Sequence, residues 1–401
     1  MSSPLPNKPR SLAGATILQL VPALQDDPPG RAAVDIALAL LQSGARAIVA
    51  GEGGPLVGEL RAFGGEWLPM TNDTANPFRL RSNARFLATL IAAERIDIVH
   101  AQSAGAAWSA LAAINRMPVF LVTSFPDQLP ASSWLGNRFR SSLARGHKVI
   151  APSSYISHAM IERYRIAADR ISVVPRSIDT TIFDPALVRQ DRVAALRRNW
   201  GVLPNVRVVL APGRIVPAHG QLTLVEAARL MSATGAERNV AFVLAGDDRA
   251  DKSYTNTLRE RARAHGVDTL FRFVGPVVDM PTALAASDVM AITAVEPPLS
   301  GRSVVQAQAL GRPVITTTVG VLPESVLAPP RMKEELRTGW LVRPGDAPQL
   351  ARALGAALSL DVTAYEALSA RARQFVQFAF SPHSVAEAIR GVYTSLLARD
   401  S

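Results

Sequence analysis

The chain has no cysteine, which excludes disulfides, thiolate-bound metals and a cysteine nucleophile, and leaves its redox compartment open. Lysine is nearly as scarce. Only Lys8, Lys148, Lys252 and Lys333 occur, so arginine carries almost all of the formal net charge of +10. That balance attracts anionic partners such as nucleotide phosphates or a membrane surface, although a solvated surface written in arginine gives the same count. There is no block of five or more basic residues, and no interleaving of aromatic with basic residues is read as a nucleic-acid surface, so no nucleic-acid partner is expected. No run of 18 apolar residues occurs, which excludes a membrane-spanning helix and leaves peripheral contact as the only membrane option. The six histidines (His100, His147, His158, His219, His265 and His383) show no metal-ligand spacing, so neither a metal nor another cofactor is expected.

Near the start, Lys8 and Arg10 precede an apolar run from Leu12 to Leu24, the arrangement of a secretory leader. Gln-Asp-Asp-Pro-Pro follows where small residues would mark cleavage, and the run contains ATILQLV. It reads as a first buried strand of a cytoplasmic protein, with peripheral attachment to the inner membrane surface as an option.

With 48% hydrophobic and 19% charged residues over 401 positions, the chain can bury two cores of ordinary domain size. Apolar runs (ATILQLV, ARAIVAG, IDIVHAQ, PVFLVTS, KVIAPS, ISVVP) alternate with segments of helical spacing at Arg31–Ser43, Leu56–Phe63 and Ala106–Asn115, and with a helix ending near Glu94. VRVVLAPG, VAFVLAG, LFRFVG, DVMAIT and PVITTT repeat the alternation, with helices at Leu222–Thr234, Tyr254–Ala264, Met280–Ala286 and after Ser300. Buried runs separated by amphipathic helices predict α/β architecture: two doubly wound parallel sheets facing a central cleft. The expected division is 1–186 and 187–381, with a helix at 382–398 packing back on the first domain. GxGxxG after a first strand and GxxxxGK[ST] are both missing, which argues against a dehydrogenase or a P-loop NTPase.

Four segments stand in order: VVPRSIDTTIFDP (173–185), APGRIVPAHGQ (211–221), FVGPVVDMPTALAASDVM (273–290) and EPPLSGRSVVQAQALGRPVI (296–315). In the second, a strand runs into a loop where Arg214 can grip phosphate oxygens with its planar fork. In the fourth, Gly301 lets a diphosphate approach the backbone at a helix start. Together the four resemble the retaining glycosyltransferases of family 4, which have the GT-B fold. The similarity extends through GGPLVGEL (53–60), DIVHAQSAGAAWSAL (97–111), VLAGDD (243–248) and TGWLVRPGD (338–346).

The resemblance implies transfer of a hexose-type sugar from a nucleoside diphosphate sugar to a glycan or lipid-linked acceptor. It places donor phosphates against Gly213, Arg214, His219, Gly301 and Arg302, and the ribose near Gln306. It also marks departures. His219 stands where the family has a lysine; Pro298 and Gln306 stand where it has two glutamates with seven residues between them; Pro126 replaces a histidine after PVFLVTS. The first-domain glycine-rich loop is here QDDPPGR (25–31), stiff and acidic. Glu296, two residues before Pro298, is the candidate replacement acid. His100 and Arg31 are acceptor-side candidates, and Asp279 reads as a helix cap. Two readings therefore stay open: an active hexosyltransferase, or a pseudoenzyme that keeps the fold and partners an active transferase.

Overall fold

Strands, most of them buried on both faces and followed by a helix, build two separate parallel sheets. The computed structural model describes residues 11–115, 117–126, 134–233, 235 and 239–398, so Lys8, Arg10 and Thr234 lie outside the described residues. The chain divides into one unit running to Ser177 and resuming at Ser381, and a second unit, Ile178–Phe380. This break precedes the 186/187 division expected from sequence. The Ile178 N–H donates to the Phe380 carbonyl (2.9 Å), and Ile178 and Phe183 are buried in the second unit's core.

The first unit contains β1 (Thr16–Ala23), β2 (Arg46–Glu52), β3 (Glu66–Pro69), β4 (Ile98–Ala101), β5 (Phe120–Ser124), β6 (Lys148–Ala151) and β7 (Ile171–Val173), all parallel, in the order β3-β2-β1-β4-β5-β6-β7. Its helices are α1 (Pro28–Gln42), α2 (Leu56–Ala62), α3 (Pro77–Glu94), α4 (Ala104–Ala113), α5 (Trp134–Arg140) and α6 (Ser154–Tyr164). The second unit has α7 (Gln190–Asn199), β8 (Arg207–Pro212), α8 (Gln221–Ala233), β9 (Val240–Ala245), α9 (Lys252–Ala264), β10 (Phe271–Phe273), α10 (Met280–Ala285) and β11 (Val289–Ile292). It continues with α11 (Arg302–Ala309), β12 (Val314–Thr317), β13 (Gly339–Val342), α12 (Ala347–Leu358) and α13 (Val362–Phe380). Its six parallel strands run β10-β9-β8-β11-β12-β13.

Alternation along β1 shows how each sheet separates its cores. Ile17 and Val21 enter one cluster with α1 and the last helix, α14 (Pro382–Leu397), while Leu18 and Leu20 enter the opposite cluster with α3, α4 and α6. The packing of α14 against α1 places Tyr393 and Leu396 in the first unit's core.

Some elements leave little trace in sequence. Strand β3 has two half-buried residues between two exposed ones at a sheet edge, where no strict burial pattern is imposed. Helix α13 buries only Leu368, Ala372, Val376 and Phe380, a stripe too narrow to stand out among its arginines and glutamines.

Candidate functional site

In the second sheet the strand order reverses between β8 and β11, which lie side by side with the loops from their C-terminal ends leaving in opposite directions. Such a reversal opens a crevice, and ligands of open α/β sheets bind there. A pocket of about 160 Å³ occupies this place, lined by Gly213 beyond β8, Thr293 and Ala294 beyond β11, and Gly301 at the start of α11.

The loop after β8 is fixed by its backbone. Gly213 has φ +124°, a region L side chains rarely adopt, and its N–H donates to the Ala245 carbonyl (3.0 Å). A Cβ at Gly246 would lie 1.8 Å from the Gly213 carbonyl oxygen, so the two loops can approach this closely only with glycine at 246. Farther on, a turn at Pro217–His219 is tied to the β11 loop: the Thr293 hydroxyl donates to the His219 carbonyl (3.0 Å), and the Val295 N–H to that of Ala218 (3.0 Å). His219 lines the pocket half-buried. Loss of water pushes its imidazole below the ordinary value, as does the Arg214 charge, against a backbone hydrogen bond with Arg214 that raises it. Without an added anion the ring is neutral at pH 7.

Helix α11 begins without a side-chain cap. Gly301 is its N-cap, and the Ser303 and Val304 N–H groups have no partner among the described residues; the Arg302 N–H uses the Ser300 hydroxyl (3.3 Å). By contrast Asp27, Asn76, Ser103, Asp251 and Asp346 cap their own helices. Free N–H groups and the positive end of α11 therefore face the pocket, an arrangement suited to an anion.

Comparison with known proteins finds related domains and folds. Residues 30–182 match the domain described as Glycosyltransferase Family 4, and residues 206–359 the one described as Glycosyl transferases group 1. The chain is of the family 4, GT-B glycosyltransferase type. A D-inositol 3-phosphate glycosyltransferase of Corynebacterium glutamicum is 29% identical over 206 residues, 51% of this chain and 47% of that protein. Its counterpart from Jonesia denitrificans is 30% identical over 57% of this chain and 52% of its own length. The chain thus spans about half the length of the curated relatives it matches. Among solved structures, a glycosyltransferase from Rickettsia africae superposes with TM-score 0.73 at 27% identity, over 97% of this chain and 100% of the other. Anabaena HepE in complex with UDP gives 0.67 at 23% identity over 95% and 100%, a likeness of fold.

Three of the expected donor residues, Gly213, His219 and Gly301, line the pocket together. Arg214 and Arg302 are exposed and Gln306 is half-buried on α11, all outside the lining. Arg214 stands next to Gly213 with its carbonyl held by Gln221 Nε2 (2.9 Å) and its guanidinium without a carboxylate partner among the described residues. Pro298 forms part of the wall. Glu296 is exposed and absent from the lining, so the candidate replacement acid does not face the pocket.

The acceptor-side expectations fare differently. His100 is 1% exposed, with Nδ1 on the Tyr393 hydroxyl and Nε2 on the Ser124 hydroxyl, both at 2.7 Å, so it is a structural residue without access to substrate. Arg31 pairs with Asp26 (2.8 Å) and Glu59 (2.9 Å), ordering the loop between β1 and α1. In that loop Asp27 accepts the Gly30 N–H (2.9 Å) and so occupies the α1 terminus with a carboxylate. Asp279 caps α10 through Thr282 and pairs with Arg192 (2.6 Å). Pro126 lies half-buried just beyond Phe125.

Sequence reading missed Gln221 and Thr293. Gln221 is 4% exposed and lines the pocket with its Oε1 unpartnered among the described residues. Its one sequence signal is its place directly after Gly220, whose φ of +66° turns the chain into α8.

Proposed function

We propose that this chain transfers a hexose-type unit from a nucleoside diphosphate sugar to a glycan or lipid-linked acceptor with retention of anomeric configuration, in a setting such as cell-envelope polysaccharide synthesis. The carrying observation is the uncapped start of α11 opening into the pocket at the strand-order reversal. The diphosphate seats against the Ser303 and Val304 N–H groups, with Arg214 and a protonated His219 closing from the β8 loop. In the reaction the bond from the anomeric carbon to the phosphate oxygen breaks and the diphosphate keeps the electron pair. The acceptor hydroxyl oxygen bonds to the anomeric carbon, and its proton passes to the departing phosphate. Stabilising that leaving group is the work of the cationic and N–H groups, and no cofactor beyond the donor is invoked.

One observation favours a second reading, a pseudo-glycosyltransferase that partners an active enzyme: no aspartate or glutamate is among the residues lining the pocket, and Pro298 stands in its wall. Calorimetry separates the readings. UDP is the first probe, because HepE is described in complex with it, followed by other nucleoside diphosphates and by donor turnover with D-inositol 3-phosphate among the acceptors. The transferase reading expects binding and turnover, both weakened by Arg214→Ala by about ten- to a hundredfold. Binding lost in Arg214→Ala, with no turnover in the parent, supports the pseudoenzyme. Absence of nucleotide binding at millimolar concentration overturns both. The cellular setting we propose is the cytoplasm, with contact at the inner membrane surface.

A further inference from the structure

The outer face of α3 is not explained by packing. Leu80, Ala84, Leu87 and Ile91 form its buried stripe, and on the far side Phe78 is 78% exposed and Phe86 47%. The stretch between the two rings reads FRLRSNARF (78–86), so aromatic and basic residues do interleave here, against the expectation from sequence. Arg79, Arg81 and Arg85 are exposed without a carboxylate partner among the described residues. The single acid of the helix, Glu94, is already engaged by Arg46 (2.7 Å).

The same character continues on the next two helices. Trp108 is exposed on α4, which meets α3 through the Ser109 hydroxyl and the Leu80 carbonyl (3.4 Å). Trp134 on α5, which packs on α4, is 69% exposed, with the Arg138 guanidinium 5.7 Å from its ring centre. Four of the six exposed aromatic side chains among the described residues therefore lie on three consecutive helices of one unit. Clustered exposed apolar groups mark a contact surface, whereas scattered ones do not.

We infer that this face is a docking surface for an anionic lipid bilayer. Unpaired arginines supply charge complementary to lipid phosphates, their stems lie along the acyl boundary, and the rings insert at the interface. No described helix is long and apolar enough to cross a membrane, so contact is confined to the surface. A single-stranded polynucleotide would be held along a charged groove, and this face is the outside of a helix. The inference rests on the peripheral-contact part of the functional reading and is independent of turnover at the donor pocket.

The test is flotation of the full chain with vesicles of phosphatidylcholine alone and with one-third phosphatidylglycerol. Binding is expected only to the anionic vesicles, weakening as salt is raised. Arg79→Gln, Arg81→Gln and Arg85→Gln together should reduce partitioning on the order of a hundredfold, at about fivefold per arginine. Phe78→Ser with Phe86→Ser should also reduce it, with thermal unfolding and nucleotide affinity unchanged in both variants. No binding of the parent to anionic vesicles, binding retained by both variants, or tighter binding to a single-stranded oligonucleotide overturns the inference. Unchanged nucleotide calorimetry keeps such a failure distinct from failure of the transferase reading.

Discussion

His100 Nδ1 and the Tyr393 hydroxyl lie 2.7 Å apart across 293 residues of sequence, joining strand β4 to the last helix inside the first unit's core. Both groups are buried and uncharged. Burial pushes the Tyr393 hydroxyl up and the His100 imidazole down, to about 3, with Arg176 adding to the histidine's shift. A neutral imidazole between two hydroxyls donates through one ring nitrogen and accepts through the other, leaving no charge to desolvate.

Tyr393→Phe keeps the ring and removes the oxygen, leaving a His100 ring nitrogen buried without its partner. The expected cost is about 1–3 kcal/mol of unfolding free energy, measured by denaturant titration of the first unit's transition. An unchanged midpoint would mean the hydrogen bond adds nothing net.

Acid should weaken the fold through the same histidine. Its folded value, about 3, is below the unfolded value, about 6.5, so between the two the unfolded chain binds the extra proton. The contribution is full above pH 6.5 and declines as pH falls toward 3, with a limiting slope of about 1.4 kcal/mol per pH unit. Thermal unfolding from pH 8 to pH 4 should show this slope, and His100→Gln should flatten it.

His219→Lys places a permanent charge where the parent has a ring kept neutral by burial. A bound diphosphate favours protonated His219, so parent affinity should be greatest at acid pH and fall as pH rises through the histidine's value in the complex. The variant should bind UDP about three- to thirtyfold more tightly at pH 8 and lose that pH dependence. Parallel affinity-versus-pH curves for the two proteins would remove His219 from the phosphate site.

Gly301→Ala tests how tightly the start of α11 is built. A Cβ there would lie 2.0 Å from the Ser325 hydroxyl oxygen, and Ser325 is itself buried. Overpacking of this kind costs about 1–3 kcal/mol, and the displaced helix start should also reduce UDP affinity. Shortening the neighbour with Ser325→Gly in the same chain should restore much of the stability. If Gly301→Ala alone leaves both stability and affinity unchanged, the close approach is not a constraint.

Most of the fold was legible because its signals are local. Runs such as VRVVLAPG and VAFVLAG are buried on both faces, and helix periodicity near 3.6 is written within each segment. The less visible elements, β3 and α13, are those whose burial is slight or confined to a thin stripe. At the site, the glycines at 213 and 301 were readable because a backbone constraint shows in residue type. Gln221 was not, since a buried amide in a pocket has the same letter as a solvated one.

By itself the sequence determined two doubly wound sheets and an ordered set of motifs resembling those of glycosyltransferases, with Pro298 and Gln306 at the positions where that resemblance expects acids. Only the tertiary structure decided what each polar side chain meets. It buried His100 beneath Tyr393, tied Arg31 to Asp26 and Glu59, and left Glu296 in solvent while the start of α11 stayed uncapped. Solvent access and hydrogen-bond partners come from segments far apart in the chain, so they are properties of the packed fold and not of any local pattern.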